Sequence, residues 1–172
     1  VETTKDPLGN VVTSVYDAVG NQVAMIDPLG NRSTTVFDAL NRGYASVNAL
    51  GKRATTLFDK AGRSIAQSDE LGNWTLTSYD EFGRYLGTTD ALGNQTQVAY
   101  DSAGRVVAQI DARGYRSTSV YDALNRAYAT IDALGNRTTT GFDAVGQVIT
   151  KKDALGRVTS FVYDARGMQE GV

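Results

Sequence analysis

The chain consists of eight consecutive copies of one 21-residue unit, and this period constrains the fold more than any other feature. In each copy an aromatic residue precedes an Asp, and a second Asp or Asn opens another turn-like corner. Internal repetition of this kind predicts one local structure repeated along the chain, in which each unit contacts its neighbours. The aromatic column comprises Tyr16, Phe37, Phe58, Tyr79, Tyr100, Tyr121, Phe142 and Tyr163. The other series of corners begins at residues 6, 27, 48, 69, 90, 111, 132 and 153.

Both corners of a unit carry the residues of a β-hairpin turn. Asp at the first position can accept a hydrogen bond from a backbone N–H two residues later, and Pro7 and Pro28 preset φ at the second position. Gly at the fourth position can adopt a positive φ, and the only exceptions among the corners are Asn41 and Asn125, the residue type that tolerates this conformation best after Gly. We therefore predict one shared turn with positive φ at the fourth position. Representative first and fourth residues are Asp17, Gly20, Asp38, Asn41, Asp122, Asn125, Asp132 and Gly135.

The segments between corners have the length and the composition of strands. They are rich in Thr, Val, Ile and Tyr, as in RSTTVF at 32–37, and none shows a helix-length amphipathic period. The predicted fold class is all-β: a continuous antiparallel meander of about 16 short strands, formed by eight 21-residue β-hairpin repeats in a twisted or spiralling strip. Its apolar columns, including corner leucines such as Leu124 and Leu134, are expected to stack from unit to unit. We predict a single array over residues 1–172 and, from the absence of a starting Met, a fragment of a longer protein.

The odd length of the repeat creates a problem of register. Side chains alternate between the two faces of a strand with period 2, so an odd repeat with identical turns would invert the faces from one unit to the next. The aromatic column nevertheless returns every 21 residues. Each unit is therefore predicted to contain either one β-bulge or two different turn types.

Charge and composition exclude several classes of function. The net charge of -2 gives no general attraction to nucleic acid, and no apolar run approaches the roughly 20 residues that cross a bilayer. The chain has no Cys and no His, the residues most often used as metal ligands and general bases. We expect no nucleic-acid partner, no membrane insertion, no metal, no cofactor and no enzymatic activity.

The repeat resembles a known family. The stretches GRYLGTTDALGNQTQVAYD (83–101) and GRVVAQIDARGYRSTSVYD (104–122) are similar to the RHS repeat, also called the YD repeat. That family includes shell-forming subunits of insecticidal toxin complexes, bacterial polymorphic toxins and the extracellular part of teneurins. The resemblance implies a hairpin strip in a secreted or cell-surface protein, forming the wall of a shell or the shaft of an extracellular fibre. Its partners would be other repeats of the same protein, joined end to end or within a shell.

Other uses of the same residues stay open at this stage. Some family members cleave themselves at paired D-P-x-G elements followed by Leu, but Asn follows in DPLGN at 6–10 and 27–31, so we interpret both prolines as turn residues. The rows of Asp could bind calcium, although the spacing differs from that of calcium-binding β-rolls. The aromatic column and the row of Arg42, Arg63, Arg84, Arg105 and Arg126 could bind sugars or anions. Packing between rings and Asp–Arg pairs across the turns are favoured, which leaves a carbohydrate- or receptor-binding adhesive surface and a toxin-encapsulating shell fragment as alternative functions.

Overall fold

The computed structural model describes residues 1–171, which form short strands joined by tight turns. No helix long and apolar enough to cross a membrane occurs among them. The strands are β1 (Glu2–Lys5), β2 (Val11–Tyr16), β3 (Gln22–Ile26), β4 (Arg32–Phe37), β5 (Gly43–Val47), β6 (Arg53–Phe58), β7 (Ser64–Ser68), β8 (Trp74–Tyr79), β9 (Tyr85–Thr89), β10 (Gln97–Tyr100), β11 (Val106–Ile110), β12 (Arg116–Tyr121), β13 (Ala127–Ile131), β14 (Arg137–Phe142), β15 (Val148–Lys152), β16 (Val158–Ser160), β17 (Val162–Tyr163) and β18 (Gln169–Gly171).

Within each sheet the strands follow one another in space as they do in sequence. β1 to β9 form a nine-stranded sheet, β10 to β16 a seven-stranded sheet, and β17 and β18 a two-stranded sheet. The all-β antiparallel meander is therefore confirmed, with 18 strands instead of about 16. The last long segment is divided at Phe161 into β16 and β17, and the Phe161 N–H still donates a 2.9 Å hydrogen bond to the Ile149 carbonyl.

The chain contains two compact units. The first consists of Val1–Ser78 with Thr88–Gly93, and the second of Tyr79–Gly87 with the residues from Asn94 onward. The prediction of one array over residues 1–172 is not tested by this division and stays a prediction.

A β-bulge at a fixed place in the repeat resolves the problem of the odd period. Tyr16 pairs with Gln22, whereas Val15 pairs with Ala24, so Val23 is an extra residue on β3. The corners of both series make the same backbone hydrogen bonds, so two turn types are not needed. The predicted bulge is confirmed, and it keeps the aromatic column on one face. The same shift occurs immediately before Phe37, Phe58, Tyr100, Tyr121, Phe142 and Tyr163.

The most buried side chains are small. In residues 1–171 the fully buried hydrophobic residues are all alanines, each placed directly after the extra residue of a bulge, and they are 2% to 5% exposed. Gly87 occupies this place in the fourth repeat, where a Cβ would clash with the Thr96 carbonyl oxygen. Stability therefore comes mainly from contacts between neighbouring strands and corners, because the sheet lacks a deep core. The buried alanines are Ala24, Ala45, Ala66, Ala108 and Ala129.

Candidate functional site

The corners of each sheet lie alternately along its two rims, because every corner reverses the direction of the chain. We call the corners that begin at residues 6, 27, 48, 69, 90, 111, 132 and 153 the leucine rim. We call those that begin at residues 17, 38, 59, 80, 101, 122, 143 and 164, each directly after an aromatic residue, the arginine rim.

The first residue of a corner closes the turn with its side chain. The backbone N–H groups of Leu124 and Arg126 donate to Asp122 Oδ1 at 2.9 and 3.0 Å. The N–H of Asn125 donates to the Asp122 carbonyl at 3.1 Å, and the N–H of Asp122 donates to the Arg126 carbonyl at 3.0 Å. Asn48 makes the same two side-chain contacts in its own corner. Equivalent hydrogen bonds close the corners of Asp17, Asp38 and Asp132.

The fourth residue of the corner has a left-handed backbone conformation. Asn41 has a φ of 58° and Asn125 a φ of 63°. Gly20 and Gly135 have φ values of 93° and 83°, and the remaining corner glycines are also positive. The predicted sign of φ is thus confirmed at both asparagines, and the two rims share one turn.

On the arginine rim one side chain connects successive repeats. Arg105 Nε lies 2.6 Å from Asp101 Oδ2, in the same corner. Its Nη1 donates to Asn125 Oδ1, in the next corner, at 2.7 Å. Its guanidinium carbon lies 4.7 Å from the centre of the Tyr121 ring. Arg105 therefore holds its own corner, the next aromatic ring and the next corner together.

The same contact recurs along the rim. The Asp–Arg pairs predicted across the turns are present at Arg42, Arg63, Arg84, Arg105 and Arg126. The guanidinium carbon lies 4.5 Å from the ring centre in three further Arg–aromatic pairs: Arg42 with Phe58, Arg84 with Tyr100, and Arg126 with Phe142. In the first repeat Asn21 substitutes for arginine, and its amide donates to Asp17 Oδ2 at 2.9 Å and to Asn41 Oδ1 at 3.2 Å.

The aromatic column packs against the preceding corner. The hydroxyl groups of Tyr100, Tyr121 and Tyr163 donate to the carbonyl oxygens of Tyr85, Val106 and Val148 at 2.8 to 2.9 Å. Apart from Tyr16, which is 37% exposed, the rings of the column are half-buried. Because a guanidinium already covers one face of several rings, the geometry favours packing over an open platform for sugars.

Several corner carboxylates have a lowered pKa, which favours their ionised form. The side-chain hydrogen bond from Arg42 lowers the pKa of Asp38, and that from Asn136 lowers the pKa of Asp132. The backbone N–H of Arg126 is the main cause of the lowered pKa of Asp122. Within residues 1–171 no group of three or more acidic, His or Cys residues is arranged to hold a metal ion. These side chains are suited to locking turns, since their oxygen atoms already accept hydrogen bonds.

The corner leucines, which occur on both rims, correct one expectation from the sequence. Corner leucines were expected in stacked apolar columns, yet Leu124 is 67% and Leu134 82% exposed. Both lie at the third position of the turn, at its tip. Sequence reasoning also missed the alanine column, although its signal, an Ala every 21 residues at 24, 45 and 66, is present in the sequence.

Comparison with known proteins identifies the repeat. Residues 100–137 and 142–172 match the sequence model of the RHS repeat. No match was found among curated protein sequences.

Solved structures share the fold at low sequence identity. The crystal structure of TcdB2-TccC3-TEV matches 93% of this chain with a TM-score of 0.57 and 17% identity. A structure of the Photorhabdus luminescens Tc holotoxin pore matches 93% with a TM-score of 0.53 and 16% identity. The crystal structure of TcdB2-TccC3 without its hypervariable C-terminal region matches 97% with a TM-score of 0.52 and 17% identity. The chain spans only 11% to 12% of the length of those chains.

Proposed function

We propose that this chain, which matches the RHS repeat over residues 100–137 and 142–172, is a non-catalytic structural segment of a large secreted or cell-surface protein. Its role would be to form the wall of a shell or the shaft of an extracellular fibre. The observation that carries this proposal is the arginine rim, where one arginine side chain in each of four repeats contacts the aromatic ring of the next repeat. These residues are Arg42, Arg84, Arg105 and Arg126. Likeness in fold to chains of Tc toxins favours the wall of a shell, which could enclose a toxin domain.

The partners under this proposal are other repeats of the same protein, within a shell or end to end in a fibre. Electron microscopy of the full-length protein tests it directly. If the chain forms part of a shell wall, the images should show hollow particles. If it forms part of a fibre shaft, they should show rods of constant width. The variant Arg84→Ala/Arg105→Ala, which removes two contacts between repeats, should yield fewer intact particles of either kind. Compact particles without a cavity or an elongated shape, unchanged in the variant, would contradict a structural role.

A second candidate function, carbohydrate binding, is favoured by a groove in the second compact unit. The groove has a volume of about 760 Å³, and its lining includes Tyr85, Tyr100, Tyr115, Asp111 and Arg116. Tyr115 occupies the repeat position that Asn136 occupies in the next corner of the leucine rim. The Tyr115 side chain is 55% exposed. Asn136 donates to Asp132 Oδ2 at 2.8 Å, whereas within residues 1–171 no side chain donates to Asp111 Oδ2. Exposed aromatic rings beside an available carboxylate are suited to binding the faces and hydroxyl groups of sugars.

Calorimetric titration with chitotetraose and cellotetraose tests this second function. Tyr115→Asn introduces the residue that other repeats have at this place, so it should fold normally and lose binding. Tyr128→Asn, outside the groove, is the matched control and should retain it. No heat of binding with either oligosaccharide, or equal loss in both variants, would contradict a carbohydrate site in this groove.

A further inference from the structure

The leucine rim of the first compact unit carries a regular row of exposed leucines. Each of its five corners has Leu at the third position, and these side chains are 75% to 89% exposed. Successive leucines are two strands apart, about 9.6 Å at ordinary strand spacing. Turn chemistry does not require Leu at this position, where polar residues and Gly are common. The row consists of Leu8, Leu29, Leu50, Leu71 and Leu92.

The arginine rim of the same unit has no comparable row. Its third-position residues are Val19, Leu40 and Ala61, so the side chain changes from one corner to the next. An evenly spaced row of one large, exposed apolar residue is the kind of surface that marks a protein–protein contact.

Charges along the leucine rim differ between neighbouring corners. The corner of Leu50 has Asn48 in place of Asp and continues into Lys52 and Arg53, so it is positive. The corner of Leu71 contains Asp69 and Glu70 and is negative. These four charged residues are exposed.

The outer corners of the row differ in the same sense but less strongly. The corner of Leu29 contains Asp27 and is followed by Arg32, so these two charges cancel, whereas the corner of Leu92 has Asp90 and is followed by the uncharged Asn94 and Gln95. The corners before the midpoint between Leu50 and Leu71 are therefore positive or neutral, and those after it are negative.

We propose that this leucine rim binds the same rim of a second copy of the chain, antiparallel about a two-fold axis midway between Leu50 and Leu71. Leu50 of one copy then packs against Leu71 of the other, and Leu29 against Leu92. Lys52 and Arg53 face Asp69 and Glu70, so opposite charges flank the apolar seam. A parallel, in-register pair would instead place like charges together, which disfavours it.

A second copy fits this surface because it has the same spacing. Because both rims have the same repeat, each leucine of one rim lies opposite a leucine of the other. The two-fold axis makes the contact isologous and closed. The contact is lateral and uses the turns, so it does not compete with pairing of strands at the ends of a sheet.

Sedimentation velocity at micromolar concentration tests the interface in the 172-residue chain. The wild-type chain should form a dimer, and Leu29→Lys/Leu50→Lys/Leu71→Lys should raise its dissociation constant by at least about 100-fold. Val19→Lys/Leu40→Lys/Ala61→Lys adds the same charge at the same turn position on the arginine rim and should leave the dimer intact. Circular dichroism checks that both variants keep their strands.

Disulfide cross-linking tests the position of the axis, because the chain has no cysteine of its own. An oxidised mixture of Leu50→Cys and Leu71→Cys chains should yield cross-linked dimers, and Leu50→Cys alone should not. Cross-linking of Leu50→Cys to itself would overturn the antiparallel arrangement. A wild-type chain that stays monomeric, or equal dissociation of both lysine variants, would overturn the interface and leave the structural role standing.

Discussion

At the scale of single residues, the corners depend on the backbone angle at their fourth position. Asn125 has a φ of 63°, a conformation in which a β-branched residue is strained. We expect Asn125→Val to lower the free energy of unfolding by about 1–2 kcal/mol, measured by urea denaturation. Asn125→Gly is the control, because both variants lose the hydrogen bond from Arg105 and only Val adds strain. An equal loss in the two variants would show that φ is unimportant here.

The corner carboxylates should make stability depend on pH in one direction. Side-chain hydrogen bonds from Arg42 and Asn136 lower the pKa of Asp38 and of Asp132 below the ordinary value of 3.8. The unfolded chain therefore binds more protons than the folded chain as the pH falls. The stabilisation is fully present above the unfolded pKa and is lost as the pH falls through the folded pKa. We expect the thermal midpoint to decrease as the pH is lowered from about 5 to about 2, followed by circular dichroism.

Asp132→Asn provides the control for this pH dependence. The corner of Asn48 shows that an amide oxygen can accept the same two backbone hydrogen bonds. The variant should fold, and its thermal midpoint should fall less steeply in acid because one titrating group has been removed. A midpoint that is constant down to the lowest pH in the wild-type chain would contradict the role of the carboxylates.

At the scale of the hairpin, the arginine contact should stabilise the junction between repeats. Arg105→Ala removes an ion pair with Asp101 and a cation–π contact with Tyr121. Both partners are partly exposed, so we expect a loss of about 1–2 kcal/mol in the free energy of unfolding. Arg113→Ala, at an exposed corner tip without an ion pair in the described residues, should cost nothing measurable. Hydrogen exchange should rise in β11 and β12 for Arg105→Ala only.

The hairpin also shows what the sequence could and could not predict. The corners were predictable because Asp, Gly and Asn have conformational roles that depend little on distant residues. The odd repeat required either a bulge or two turn types, and the sequence could not place a bulge, because extra residues such as Val23 and Ile65 are ordinary strand residues. The exposure of the corner leucines was predicted wrongly, since apolar character alone does not show where a turn tip points. The groove includes Tyr115, which replaces the Asn found at this position in the next corner. The sequence alone does not show which side chains lie beside Tyr115 in space.

At the scale of the whole molecule, the fold should tolerate a change in the number of repeats. Each repeat contacts its nearest neighbours, so removal of one unit should leave the other contacts unchanged. Deletion of residues 101–121 joins Tyr100 to Asp122 and restores the repeat at the junction. We expect this variant to have the same circular dichroism per residue as the wild-type chain and a cooperative unfolding transition.

Deletion of residues 101–110 is the matched control. It joins Tyr100 to Asp111 and removes one strand together with its bulge, so every later side chain is placed on the opposite face and every later corner on the opposite rim. This shorter deletion should be the more destructive, with lower solubility and loss of the cooperative transition. Equal behaviour of the two deletions would contradict the function assigned to the bulge.

The bulge consequently affects how the gene can change in length. Because it makes one repeat a complete structural period, unequal crossing-over between tandem copies in the gene can insert or excise whole units without inverting what lies downstream. The identical pentapeptides DALNR at 38–42 and 122–126 lie four units apart, as a block copied in this way would leave them. A lineage can therefore lengthen or shorten the coding region by recombination while each allele keeps its repeats in register.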